Sequence, residues 1–156
     1  MPTRDEQALV QFLRTTPRDT VVLTELRLAS EIPPLARRGV FISHEAYLPF
    51  NDRHFGVMKA RLRAWLEASH ATADEQLRGF LAEHNGQLVV IDRRAYSRNA
   101  LDDLERSHYH AFSAAFFRQL DHGERLEDYA LYRHTRAHRR YENATFIVGE
   151  VTPTVS

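Results

Sequence analysis

Apolar positions recur at helical spacing in three stretches of the first half of the chain. The pattern predicts one helix over residues 4–14 and a longer one that begins at residue 51 or 52. A third helix is predicted from Thr72, where Thr72-Ala-Asp-Glu75 has the sequence of a capping box, to the Asn85-Gly86 turn. Polar residues occupy the opposite faces, so we expect these helices to lie half-buried on a core.

Short runs rich in β-branched residues, bounded by turn signals, predict about three or four strands. These runs are residues 20–28, 39–43, 87–92 and 145–151. The first run also fits a helix, but its β-branched content favours a strand. Between the first two runs, Pro33-Pro34 is expected to exclude both a helix and a central strand.

The last third of the chain is predicted to be mostly helical. One long helix is expected from residue 97 or 99 to Leu120, and a second from Glu124 to Tyr141, joined by a tight turn at Gly123. We expect the two to pack as a C-terminal helical hairpin that precedes a final strand. The fold class predicted for residues 1–156 is a single α+β domain, with about three to four strands packed against four or five helices.

Composition narrows the classes of protein further. Lys and Arg number 21, as do Asp and Glu, and this balance argues against a dedicated polyanion binder. The chain has no cysteine, which excludes disulfide scaffolds, thiolate zinc sites and cysteine nucleophiles. A chain of 156 residues is long enough to fold without a metal or another cofactor, so none is expected to be required for folding.

The distribution of charged and apolar residues predicts the location of the protein, and the excess of arginine over lysine predicts its source. The first residues carry charges where a secretory signal needs an apolar core, and no stretch approaches the roughly 18 apolar residues of a membrane span. We therefore expect a cytoplasmic protein with no membrane partner. Lys59 is the only lysine, and so strong a bias to arginine is typical of a GC-rich bacterial genome. Arginine forks that bind phosphates or carboxylates are the functional alternative.

Three histidines on the predicted C-terminal helices form the candidate metal site. His108 and His134 project from apolar faces, and His138 follows His134 by four residues, so those two rings share one side of a helix. Three neutral imidazoles around an open position would describe a catalytic transition-metal centre. Packed or surface histidines, and acid–base use without metal, are the alternatives.

The densest positive charge in the sequence lies at residues 133–140. Arg133, Arg136, Arg139 and Arg140 could follow a phosphate backbone along one helix, which makes nucleic-acid binding an alternative function. Cations near a helix C-terminus are also favourable without any ligand, and acidic residues open the same predicted helix. Overall neutrality of the chain favours this second interpretation.

Aromatic residues crowd the same two predicted helices and widen their apolar surface beyond one stripe. Core packing explains such a pattern, and a subunit interface is the alternative, because interface cores are rich in aromatics and arginine. The candidate interface residues are Tyr109, Phe112, Phe116, Phe117 and Tyr132.

These observations favour a small cytoplasmic bacterial protein that acts through protein–protein contacts, as a homo-oligomer or a regulatory partner. The sequence has no glycine-rich phosphate loop and no nucleophile elbow, so a non-enzymatic role is favoured. An enzyme or sensor that binds a metal or small ligand through the histidines is the first alternative. Nucleic-acid binding through the arginines is the second.

Overall fold

A computed structural model of the chain describes residues 2–25, 28, 32–41, 52–96, 112–121 and 123–153. Its strands are β1 (Val21–Leu23), β2 (Gly39–Val40), β3 (Leu88–Asp92), β4 (Arg139–Glu142) and β5 (Phe146–Glu150). They form one five-stranded sheet in the order β2-β1-β3-β5-β4. β1 is parallel to β2 and β3, whereas β5 is antiparallel to β3 and β4.

Helices cover both faces of this sheet. They are α1 (Arg4–Arg14), α2 (Ile32–Ala36), α3 (Asp52–His70), α4 (Asp74–Glu83), α5 (Ala114–Gln119) and α6 (Ala130–Ala137), with short 3-10 turns at Arg93–Tyr96 and Leu126–Asp128. Apolar residues of α1 and α2 pack on one face, and those of α3 to α6 pack on the other. The mixed α and β class predicted from the sequence is confirmed, although the sheet is larger than the three or four strands expected.

Strand β3 lies at the centre of this three-layer arrangement. Leu88 and Val90 join the core on the α1 side, while Val89 and Ile91 join the core beneath α3 and α4. A strand covered on both faces has no polar alternation, which is why its sequence is a continuous apolar run. The two strands among the first forty residues belong to the same sheet, since β1 lies between β2 and β3.

The prolines of residues 32–36 do not exclude a helix, contrary to the prediction. Pro33 and Pro34 stand at the second and third positions of α2. The first turn of a helix tolerates proline because its N–H groups have no partner within the helix. The predicted strands over residues 20–28 and 39–43 are shorter than expected in the described chain, and residues 26, 27, 42 and 43 lie outside it.

Helix α4 begins at Asp74, with Ala73 rather than the predicted Thr72 at the N-cap. The side-chain oxygen of Gln76 accepts hydrogen bonds from the backbone N–H groups of Thr72 and Ala73, at 3.2 and 3.0 Å. The Thr72 hydroxyl instead donates to Asp121, at 2.9 Å. The Thr72 side chain, which the local pattern predicts to cap the helix, therefore makes a tertiary contact instead.

The predicted C-terminal helical hairpin is wrong in the described part of the chain. Helix α5 begins after Ser113, whose hydroxyl oxygen accepts from the Phe116 N–H. The second predicted helix is divided into a 3-10 turn, α6 and strand β4. The side-chain oxygen of Asn143 accepts from the N–H groups of Thr145 and Phe146, and this turn directs β4 back along β5. Residues 97–111 of the long predicted helix lie outside the described residues.

A membrane crossing requires a long and continuously apolar helix. In the stretches of chain that the structure describes, no helix meets that requirement.

Candidate functional site

The rings of His134 and His138 lie together at the C-terminal end of α6. Their centroids are 4.5 Å apart, and His138 is the residue that caps the helix. The Thr152 N–H donates to His134 Nε2 at 3.3 Å, and the Thr152 hydroxyl oxygen lies 3.1 Å from His138 Nε2. The two rings thus face the same residue beyond β5.

Of the three histidines predicted to bind a metal, His134 and His138 lie next to each other. His108 lies outside the described residues. Among the residues that the structure describes, no three histidine or carboxylate side chains are grouped so that they could hold a metal ion. A metal at His134 and His138 would also have to displace their contacts with Thr152. The metal site therefore stays a hypothesis from the sequence.

Burial lowers the pKa of His134, and the neighbouring His138 lowers it further. A hydrogen bond to the Glu150 backbone and the charge of Asp74 oppose this shift in the pKa of His134. His134 is therefore neutral at neutral pH, with a lone pair on Nε2 that accepts the Thr152 N–H.

Acidification is expected to destabilise the fold through His134. Because its folded pKa lies below the unfolded value of about 6.5, the unfolded chain binds the proton first. The contribution of neutral His134 to stability is present above about pH 6.5 and is lost as the pH falls toward the folded pKa. Thermal melts between about pH 7.5 and 5.5 measure this loss.

The His134→Gln variant should lose less stability than the wild type over that pH interval, because glutamine does not titrate. His138→Gln should reduce the loss in part, since it removes the neighbouring charge that depresses the His134 pKa. An unchanged pH dependence in His134→Gln would show that other groups control it.

The four arginines predicted for nucleic-acid binding do not lie along one helix. Arg133 and Arg136 belong to α6, whereas Arg139 and Arg140 belong to β4. The helix predicted over residues 133–140 ends at Ala137 because β4 pairs with the buried strand β5. The sequence prediction of a continuous basic helix face is therefore wrong.

Arg133 is bonded within the fold. Its guanidinium donates to the carbonyls of Glu127, Asp128 and Thr72 and to the Asp74 carboxylate, each at 2.9 Å. These bonds connect α6 to the residues that precede it and to the start of α4.

Two further arginines of the predicted set have carboxylate partners. Arg139 is paired with Glu142, and Arg140 with Glu150 at 2.7 Å. Arg136 is exposed on α6. Phosphate binding by Arg139 or Arg140 would have to compete with these carboxylates, so the described geometry gives the nucleic-acid hypothesis little support.

The aromatic residues predicted for an interface are mostly part of the chain's own core. Phe112, Phe117 and Tyr132 are buried, and Phe116 packs partly buried against the same cluster. The Phe112 and Phe116 rings stack at 4.7 Å, with Arg63 of α3 5.4 Å from the Phe116 ring. Tyr109 lies outside the described residues. The wide apolar surface is thus explained by packing against α3 and the neighbouring helices.

The sheet contains a topological feature that the sequence did not reveal. β1 and β3 are adjacent and parallel, but α2, which follows β1, lies on one face, and α5, the next described α-helix after β3, lies on the other. In open α/β sheets, ligands bind outside the carboxyl ends of strands at such a switch point. The described residues nearest this point include Thr24, Glu25, Asp92 and Tyr96.

Most polar groups at the switch point are engaged with the protein. The Thr24 hydroxyl donates to the Val90 carbonyl at 3.0 Å, and the buried Asp92 carboxylate accepts from Arg94 at 2.9 and 3.0 Å. Burial raises the pKa of Tyr96, and the charges of Tyr129 and Glu25 raise it further. Tyr96 therefore stays a neutral phenol.

Strand β4 is the last strand of the sheet, and among the described residues no strand pairs along its outer side, the open edge. At its two ends, the His138 carbonyl accepts from the Glu150 N–H, and the Asn143 N–H donates to the Phe146 carbonyl. His138 and Asn143 thus direct backbone groups toward β5. Because successive residues of a strand alternate in this direction, Arg139 and Glu142 direct their N–H and C=O groups away from the sheet.

The side chains of β4 divide between this exposed edge and the core. Arg139, Arg140 and Glu142 are exposed, whereas the Tyr141 ring stacks on Phe12 of α1 at 4.8 Å. The register shifts between Arg139 and Tyr141, which places a bulge at Arg140. Charges and bulges on an edge strand oppose indiscriminate pairing with other strands.

Comparison of the sequence with known proteins assigns the chain to no family. No protein-family model matches the chain, and no match is found among the curated proteins.

Proposed function

We propose that this chain is a protein-interaction module that contacts its partner through the open edge of β4. The observation that carries the proposal is the outward direction of the Arg139 and Glu142 backbone groups at the last strand of the sheet. Unpaired N–H and C=O groups in a row are a template for another strand.

The charges of the edge give this contact its selectivity. Arg139, Arg140 and Glu142 are exposed beside the outer backbone of β4, and each is ion-paired within the chain, so a partner strand would exchange or share these pairs. Opposite charges on facing strands stabilise their pairing, and like charges destabilise it. Both a second copy of the chain and a different protein would satisfy the proposal.

Site-specific photo-crosslinking tests the proposal. A photoreactive amino acid at position 139 should form covalent adducts with another polypeptide in cells that produce the protein. The same amino acid at Arg78, an exposed position of α4, is the matched control and should form few or none. Mass spectrometry then identifies the crosslinked chain.

Absence of adducts at position 139, or an equal yield at position 78, would overturn the proposal. Thermal melts of both crosslinker variants verify that each keeps the fold, since neither side chain belongs to the core.

A further inference from the structure

We infer that the partner of the β4 edge is a second copy of this chain, paired antiparallel so that Arg139 lies opposite Glu142 of the second copy. The inference rests on the proposed function and names its partner and register. A two-fold axis perpendicular to the sheet would relate the two β4 strands and join the two sheets into one.

Side-chain direction supports this register. Arg139 is aligned with Gly149 and Glu142 with Ile147, two residues that point to the face covered by α6. A two-fold axis perpendicular to the sheet keeps each side chain on its own face, so Arg139 and Glu142 of the second copy meet on the same side. The inner residues Arg140 and Tyr141 then lie opposite each other across the axis.

Backbone direction selects the same register. Arg139 and Glu142 are the β4 residues that follow His138 and precede Asn143, and their N–H and C=O groups point outward. When Arg139 of one copy pairs with Glu142 of the other, the outward N–H and C=O groups of the two strands face each other. The bulge at Arg140 lies between the paired positions in both copies, so the two bulged segments have equal length.

Charge makes the edge complementary to itself. Each copy offers one arginine and one glutamate at the outward positions, so the antiparallel register exchanges the Arg139–Glu142 pair within each chain for two Arg–Glu pairs between the chains. A parallel pairing in register would place Arg139 beside Arg139 and Glu142 beside Glu142, which is unfavourable. Four residues per copy make a small interface, and its affinity should fall as salt is added.

Charge exchange between copies tests the inference. Arg139→Glu gives a copy with two outward glutamates, and Glu142→Arg gives a copy with two outward arginines. Each variant alone faces like charges in its own dimer, and we expect its self-association to weaken about tenfold or more relative to the wild type. An equal mixture restores both opposite-charge pairs and should regain the wild-type association as a heterodimer.

Sedimentation velocity between about 10 µM and 1 mM covers the range expected of so small an interface. Arg136→Glu makes the same change of charge at an exposed position of α6 and should associate like the wild type. Circular dichroism melts verify that every variant is folded.

Several outcomes would overturn the inference and distinguish it from failure of the proposed function. Undiminished dimerisation of Arg139→Glu, or a mixture no more associated than the separate variants, would exclude this register. A monomeric wild type whose position 139 crosslinks to a different protein would exclude the second copy while the proposed function stands. Absence of crosslinks at position 139 would overturn both.

Discussion

Replacing Gly149 by alanine is expected to lower the free energy of unfolding by about 3 kcal/mol or more, as severe overpacking does. A Cβ atom at this position would lie 2.6 Å from the Thr135 carbonyl oxygen and 2.9 Å from the Thr135 Cα. Non-bonded carbon–oxygen and carbon–carbon pairs do not approach so closely without strain. Either the segment that contains Gly149 or the segment that contains Thr135 must therefore move.

Neither segment can move without loss of other contacts. Thr135 lies in the last turn of α6 and is fully buried, and its hydroxyl donates to the Leu131 carbonyl at 2.7 Å. Gly149 lies in β5, which is hydrogen-bonded on both sides by β3 and β4. Because these contacts fix both α6 and β5 in place, the added methyl group would push α6 away from the core beneath it.

Urea unfolding of Gly149→Ala measures the effect. The matched control is Gly79→Ala in α4, where no atom lies within 4 Å of the added Cβ. Alanine favours a helix over glycine, so this control should be neutral or more stable by up to about 1 kcal/mol. Equal stabilities of the two variants would contradict the close contact between α6 and β5.

Replacing Arg38 by methionine is expected to cost about 2 kcal/mol of stability, because hydrogen bonds from a charged donor contribute about 1.5–3 kcal/mol. The guanidinium is buried and donates to the Thr16 hydroxyl at 3.1 Å and to the carbonyls of Arg14 and Thr16. It also donates to the carbonyls of Ala36 and Arg37, at 3.2 and 3.0 Å.

These bonds place a positive charge where the last carbonyls of α1 lack partners within the helix. A cation at a helix C-terminus is favoured by the helix dipole, and the planar guanidinium reaches several carbonyls at once. Arg38 therefore fastens the end of α1 to the chain between α2 and β2. Methionine keeps much of the apolar stem and removes both the donors and the charge, so the loss reports these two contributions together.

Arg38→Lys should recover less than half of the loss, because a single ammonium group cannot reproduce the fork. Arg18→Met, at an exposed position that follows α1, should stay within about 0.5 kcal/mol of the wild type. Chemical unfolding of the three variants compares them directly. A loss in Arg38→Met no larger than that in Arg18→Met would contradict the structural role of Arg38.

Local signals were sufficient for part of the fold. The helix predicted over residues 4–14 is α1, with Thr3 as its N-cap and Glu6 completing a capping box. The apolar run at residues 87–92 is strand β3 within one residue. In both cases the residues that determine the structure are near neighbours in the chain, so the sequence contains the whole signal.

The candidate sites were predicted less completely. The spacing of His134 and His138 predicted their proximity, and the structure has it even though the helix ends between them. The arginines at positions 139 and 140 were placed on a helix because nothing local indicates a strand there. The open edge at β4, which carries the proposed function, was therefore missed.

By itself, the sequence determined the extents of α1 and β3, the apolar faces and the mixed α and β class, because each depends on residues within a few positions of one another. Tertiary structure alone decided the order of the strands, the switch point between β1 and β3, and the formation of strand β4 at Arg139–Glu142. That polar segment becomes a strand because the buried strand β5 needs a partner for its backbone groups after the turn at Asn143. Such a requirement arises only when distant parts of the chain have already been brought together.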